Sequence, residues 1–276
     1  MNTRIRKRNT VLWFILTLVL MLFTIAPVVW FMMVSIQPPD VARSGGLTFD
    51  FTPTFENYIN VFGKMNYLVF FKNSAIICFS STLLVVLLGS LAAFGFTRKK
   101  NRFTANLSSW VLSNKMFPPI AVVIPIYLMM TKVKLLDTFA GMMLVYTAAN
   151  VPYAVWMLMS FFDDIPIALD EAATVDGCSK PQALWHIVMP LASPGILSTG
   201  IFIFVLTWSE FLMALLLPGT NTKTLPVAIA AFINDRGIEW GPMSAAGTSL
   251  IVPLAVLFYS IKKYLVRGLA FGAVKE

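Results

Sequence analysis

Apolar residues in this chain come in long unbroken runs, and the polar residues gather between them. The runs lie at about 11–34, 69–96, 104–130, 138–162, 195–217 and 243–264. Each has at least the ~20 residues that cross a hydrocarbon core as a helix. They are apolar on every side rather than along one stripe, which excludes a large soluble helical core. The pattern predicts an all-α integral membrane protein with six transmembrane helices. Pro118, Pro119, Pro125 and Pro152 fall inside the third and fourth runs and predict kinks there.

Composition agrees, with 58% hydrophobic and 12% charged residues among 276. The net charge of +8 suggests a nucleic-acid partner at first sight. The basic residues, however, form short clusters beside the apolar runs and no single patch, so nucleic acid is not expected. Thirteen Lys and Arg fall on the side that six spans give to both termini: Arg4, Arg6, Lys7, Arg8, Arg98, Lys99, Lys100, Arg102, Lys180, Lys262, Lys263, Arg267 and Lys275. Seven fall opposite: Arg43, Lys64, Lys72, Lys132, Lys134, Lys223 and Arg236. The positive-inside rule makes the richer side cytoplasmic, so both termini are inside. Cys78 and Cys178 sit in a span and a cytoplasmic loop, which argues against a disulfide, and a lone His186 rules out a histidine-rich metal site.

The connection from Asp163 to Pro190 lies inside yet carries five acidic residues and one lysine. Its local chemistry describes two short helices. Asp163 or Asp164 can cap the first, with Pro166 in its opening turn. Gly177 suits a left-handed corner. Ser179 and Gln182 have capping-box spacing, Pro181 fits the first turn of the second helix, and Pro190 closes it. The small residues Ala172 and Ala173 beside Glu171 offer a close-packing surface with a carboxylate for a partner's cation. A hairpin packed on its own bundle would have a similar composition.

Glu171-Ala172-Ala173, three residues, Gly177, nine residues, Ile187, one residue and Met189-Pro190 resemble the EAA loop of ABC-importer permeases. Met189 stands where the pattern has leucine, a volume-conserving exchange. The likeness extends over the chain. Met116-Phe117-Pro118-Pro119, Trp208-Ser209-Glu210-Phe211-Leu212, Leu225-Pro226-Val227 and Gly272-Ala273-Val274-Lys275 are similar to the carbohydrate branch, and within it to the smaller six-span subunit of maltose-type and polyol-type importers. That subunit usually has asparagine where Ser209 stands.

The resemblance implies a type I (MetI-like) permease fold in a bacterial inner membrane, with both termini inside. It divides the chain into 1–68 (cytoplasmic start, first span, external loop), a five-helix core at 69–264 carrying the coupling loop 163–195, and a cytoplasmic tail at 265–276. It implies a second permease subunit, two ATP-binding-cassette ATPases that hold ATP and Mg, an extracytoplasmic solute-binding protein and surrounding lipid, with no cofactor on this chain. Glu171, Ala172, Ala173, Asp176, Gly177, Ile187 and Pro190, with Val274 and Lys275 in the tail, are the implied contacts to the ATPases. The chain lacks the G-x-x-x-x-G-K-[ST] phosphate loop, so an enzymatic role of its own is not expected.

Polar residues at membrane depth mark a pathway or a structural pair. Lys115 and Glu210 both fall near the midplane, and two readings stand: an ion pair between spans, favoured by the cost of lone charge, or a lining of the solute cavity. Asn114, Asn150, Tyr146, Trp156, Trp208 and Ser209 could bind sugar hydroxyls and ring faces, or pack helices and sit at the interface. A secondary transporter would more often show an internal repeat and ten or more helices, and an intramembrane enzyme would need a nucleophile with its base. A permease for a peptide, polyamine or glycerol phosphate would keep the same coupling loop.

Overall fold

The computed structural model describes residues 2–273 other than 47, 65 and 236, and side chains over 12–259, residue 64 aside. Val274 and Lys275 lie outside the described residues, as do the side chains of Arg4, Arg6, Lys7, Arg8, Lys262, Lys263 and Arg267. In chain order the helices are α1 (Asn2–Ser35), α2 (Pro39–Ala42), α3 (Glu56–Ile59), α4 (Tyr67–Arg98), α5 (Arg102–Ser113), α6 (Pro119–Lys132) and α7 (Phe139–Asp163). They continue with α8 (Ile167–Val175), α9 (Lys180–Ala183), α10 (Met189–Leu191), α11 (Ser193–Trp208), α12 (Leu212–Leu216), α13 (Leu225–Ala230) and α14 (Trp240–Ala273). A two-residue hairpin, β1 (Ile233–Asn234) with β2 (Gly237–Ile238), precedes α14. In lipid every backbone N–H and C=O must find a partner within the chain, and helices do this locally.

Among the described residues, four helices are long and apolar enough to span a membrane: Leu12–Ser35, Tyr67–Arg98, Phe139–Asp163 and Trp240–Tyr259. Two bent pairs bring the count to six if each is one span: Arg102–Met116 with Pro119–Lys132, bent by 99°, and Lys180–Leu191 with Ser193–Trp208, bent by 81°. The third run, expected as one kinked helix, is thus broken. Pro118 and Pro119 supply no N–H, and Phe117 before them is pushed to extended geometry (φ −72°, ψ 130°). The fifth run also stops short of Leu217. The helix ends at Trp208, and a new one starts at Leu212 because Glu210 accepts the N–H groups of Met213 (3.0 Å) and Ala214 (3.1 Å) in its first turn.

Contacts fall into two compact units, Met1–Leu68 with Ala228–Val252, and Val69–Val227 with Pro253–Glu276. In the first, the end of α1 meets the start of α14. Trp30 and Trp240 meet edge to face at 5.6 Å, and Phe31 occupies the space a side chain on Gly247 would need. Asn57 Nδ2 donates to the carbonyls of Ser35 (3.2 Å) and Gln37 (2.7 Å). Residues 12–29 of α1, before that contact, are exposed.

In the second unit α7 serves two apolar clusters. One gathers Ile77, Val123, Met142, Tyr146, Met213 and Leu217, and the other Val85, Ala154, Leu158, Phe162, Leu184 and Ile203. Gly89 of α4 lies against Ala154, and Gly195 of α11 against the Phe161 ring, so small residues bring α4 and α11 close to α7.

Candidate functional site

On the cytoplasmic side the two-helix hairpin forms as its residues dictate, with three differences. The predicted aspartate cap is not made: α8 starts after Pro166 with no side-chain cap, and Asp163 instead pairs with Lys100 (2.8 Å). Pro190 does not close the second helix. A π-helical turn (Leu184–Val188) leads into α10, whose first turn tolerates Pro190, and the chain bends at Ala192 before Ser193-Pro194 opens α11. The glycine corner is as expected. Gly177 has φ +90°, its N–H donates to Thr174 O (3.1 Å), and Cys178 N–H donates to Ala173 O (2.8 Å). Gln182 Oε1 then accepts from the Ser179 N–H (2.7 Å) and hydroxyl (2.8 Å).

The third difference concerns the surface. Glu171, Ala172, Asp176, Gly177 and Pro190 are exposed and Ile187 is half-buried. Ala173 is only 4% exposed, so its side chain is covered within this chain. Val175 beside them is 88% exposed.

Two residues that sequence reading left as charge flanks and loop acidity hold this hairpin. Arg98, in the last turn of α4, pairs with Asp170 in the first turn of α8, and its Nη1 donates to Phe162 O at the end of α7 (3.0 Å). No local signal could have revealed the pair, since 72 positions separate its members.

Within the membrane, Lys115 and Glu210 do not pair, which corrects the favoured reading. Lys115 Nζ lies 4.0 Å from the Tyr153 ring centroid, an attraction between a cation and the negative face of an aromatic. Glu210 is satisfied otherwise: besides the two N–H groups of α12 it accepts the Tyr146 hydroxyl (3.0 Å). Asn150, buried, donates to Tyr146 O (2.9 Å), so Tyr146, Asn150 and Glu210 form one network. Trp208 is 2% exposed, with its ring against Phe71 (5.7 Å) and Phe204 (5.5 Å). Ser209 is exposed and its hydroxyl donates back to Val205 O (2.7 Å). Asn114 is exposed at the break after α5 and faces a cleft of about 670 Å³ walled by α4, α5 and α7, with Leu88, Met143, Thr147 and Val151 around it. Trp156 on α7 is 59% exposed.

On the outer side Asp137 fixes the 219–222 turn, a role the sequence did not announce. Its carboxylate accepts the N–H groups of Asn221 (3.2 Å) and Thr222 (3.0 Å), the Thr222 hydroxyl (2.9 Å) and the Asn221 amide (3.0 Å). Asn73 of α4 donates to the carbonyls of Asn221 and Lys223 (3.0 Å each), and Ser74 accepts the Leu225 N–H (2.8 Å). Partial burial pushes the Asp137 carboxyl up, but the hydrogen bonds from Gly219, Thr222 and Asn221 outweigh it and hold the group below its ordinary value.

Residues 85–271 match the family model described as "Binding-protein-dependent transport system inner membrane component". Among curated relatives, the "Sulfoquinovosyl glycerol transport system permease protein" of Agrobacterium fabrum is 32% identical, covering 95% of this chain and 93% of that one. The "Trehalose/maltose transport system permease protein" of Thermococcus litoralis is 32% identical over 100% and 99%. The "Trehalose transport system permease protein" of Mycobacterium tuberculosis is 32% identical over 97% and 98%. Among solved structures, a chain of a bacterial ABC transporter involved in import of the acidic polysaccharide alginate superposes with a TM-score of 0.81 at 19% identity, covering 96% of this chain and 99% of that one.

Proposed function

The chain belongs to the family of binding-protein-dependent transport system inner membrane components, and from that premise we propose that it moves a carbohydrate or sugar derivative inward as the membrane subunit of an ATP-driven importer. It is a multi-pass inner-membrane protein with the fold of type I importer permeases. The observation that carries the proposal is the exposed, glycine-cornered hairpin 163–190 on the cytoplasmic side of such a fold. The full-length relatives named for sugar transport support the solute class.

In this reading two ATPase subunits bind ATP and Mg, and this chain, without a phosphate-binding loop, hydrolyses nothing itself. A second permease subunit completes the pathway, and a binding protein delivers solute from outside. Glu171 meets an ATPase cation, Ala172 permits close approach, and Gly177 sets the angle of α8. Asp176, Ile187 and Pro190 support that contact, with Val274 and Lys275 as a further contact from the tail. ATP-driven closure shifts α8 and turns the cavity outward, an alternating access driven by contacts that differ between two states. Asn114, Lys115 and Ser209 are the proposed solute-facing members, while Asn150, Trp208 and Glu210 shape the wall behind them.

The test is purification of the chain with its partner proteins, followed by ATP hydrolysis measured across a panel of sugars with the binding protein present. Stimulation by a sugar or sugar derivative supports the proposal. Stimulation only by a peptide or polyamine overturns the solute class, and solute movement by the isolated chain overturns the mechanism.

A further inference from the structure

The cytoplasmic end of α4 carries an arrangement that the proposed mechanism does not yet use. The Arg98 guanidinium reaches three elements at once. Its Nε donates to Asp170 Oδ2 in α8, its Nη1 donates to Phe162 O at the end of α7, and its plane lies over the Phe94 ring of its own helix, 5.7 Å from the centroid. The side chains of the pair are 13% and 15% exposed. Arg98 Nη2 and Asp170 Oδ1 are buried and have no hydrogen-bond partner. Of the two ion pairs among the described residues this is the withdrawn one. The other, Lys100 with Asp163, has side chains 66% and 40% exposed, where water and salt weaken it.

A buried ion pair seldom adds stability over apolar residues of the same volume, and here two polar atoms are left without partners. What such a contact supplies is geometry. A planar guanidinium fork fixes direction as well as distance, whereas apolar helix contacts allow small sliding. The elements joined are informative. α8 is the exposed helix of the hairpin, and α4 and α7 are two of the walls of the 670 Å³ cleft, through Leu84, Leu88, Met143, Thr147 and Val151.

We infer that Arg98 is a positioning residue, a strut that makes α8 and the cytoplasmic ends of α4 and α7 move as one body, so that displacement of the hairpin reshapes the cleft. The inference rests on the reading that α8 receives the movement of an ATPase.

The experiment uses the complete complex with its partner subunits, in a background where Cys78 and Cys178 are replaced by serine. A reporter, Ala148→Cys, is placed in the cleft wall, and its labelling rate by N-ethylmaleimide is compared with and without ATP. With Arg98 present, ATP changes the rate. Arg98→Met keeps an unbranched apolar side chain at this position and removes the guanidinium. ATP hydrolysis is expected to continue while the ATP-dependent change in labelling falls about tenfold, the scale of a lost coupling contact. Exchanging the pair, Arg98→Asp with Asp170→Arg, is expected to restore the change to within about twofold.

A full ATP response in Arg98→Met overturns the strut, as does a loss in which hydrolysis and response fall in the same proportion. Should Arg98→Met fail to assemble, the exchanged pair decides: a response near wild type supports the inference, and hydrolysis without response overturns it. Absence of any ATP response with Arg98 intact sinks the parent reading of α8, and the strut with it.

Discussion

Gly177 turns the corner of the hairpin with φ +90°, and no other atom lies near the place its Cβ would take. Any penalty on replacement is therefore conformational, about 1–2 kcal/mol for an L residue held left-handed. Gly177→Leu is expected to leave the complex assembled but to raise the ATP hydrolysed per solute imported, as measured in proteoliposomes. Lys115 and Glu210 call for a different test. Because their partners are Tyr153 on one hand and Tyr146 with two α12 N–H groups on the other, Lys115→Met and Glu210→Gln are expected to add in thermal unfolding to within about 0.5 kcal/mol. Non-additivity well beyond that would restore the ion pair between spans. For Asp137 the folded-state value lies below the ordinary 3.8, so the carboxylate favours the folded form. Its contribution is complete above that ordinary value and is lost as pH falls through the folded one. The stability difference between wild type and Asp137→Asn is expected to hold near neutrality and shrink on acidification below about pH 4, followed by thermal unfolding in detergent.

Among the elements, α8 separates two neighbouring alanines that looked equivalent in sequence. Ala172 is exposed and Ala173 is buried. Ala172→Leu is expected to leave the chain's own stability unchanged and to reduce co-purification of the ATPase. Ala173→Leu overfills the hairpin and is expected to lower stability by about 1–3 kcal/mol, read as a lower unfolding temperature. Hydropathy located every long apolar run, because the bilayer imposes length and composition on a helix from outside. The breaks were harder to see. Proline chemistry announced that the third run would bend, but not by 99°, since the angle depends on what α5 and α6 pack against. The end of α11 was hidden because Glu210 reads as an isolated acid, and its use as an acceptor for α12 is known only once the chain has turned. The corner and the Gln182 acceptor were legible, being contacts between residues three to five apart. Arg98 with Asp170 and Asp137 with Thr222 join distant positions, and no periodicity encodes them.

For the whole molecule, the distribution of lysine and arginine puts the hairpin inside and the segment from Pro218 to Pro242 outside. Cys178, half-exposed beside Gly177, is a native reporter of this arrangement, while Cys78 is buried. A membrane-impermeant thiol reagent is expected to label Cys178 in inside-out vesicles and not in intact cells, and labelling from outside would invert the topology. The outward turn at 219–225 is held by Asp137 from one loop and by Asn73 and Ser74 from α4, so its backbone has surrendered its freedom before any visitor lands. A partner docking on this turn would meet backbone already ordered, and would forfeit little entropy in fixing it.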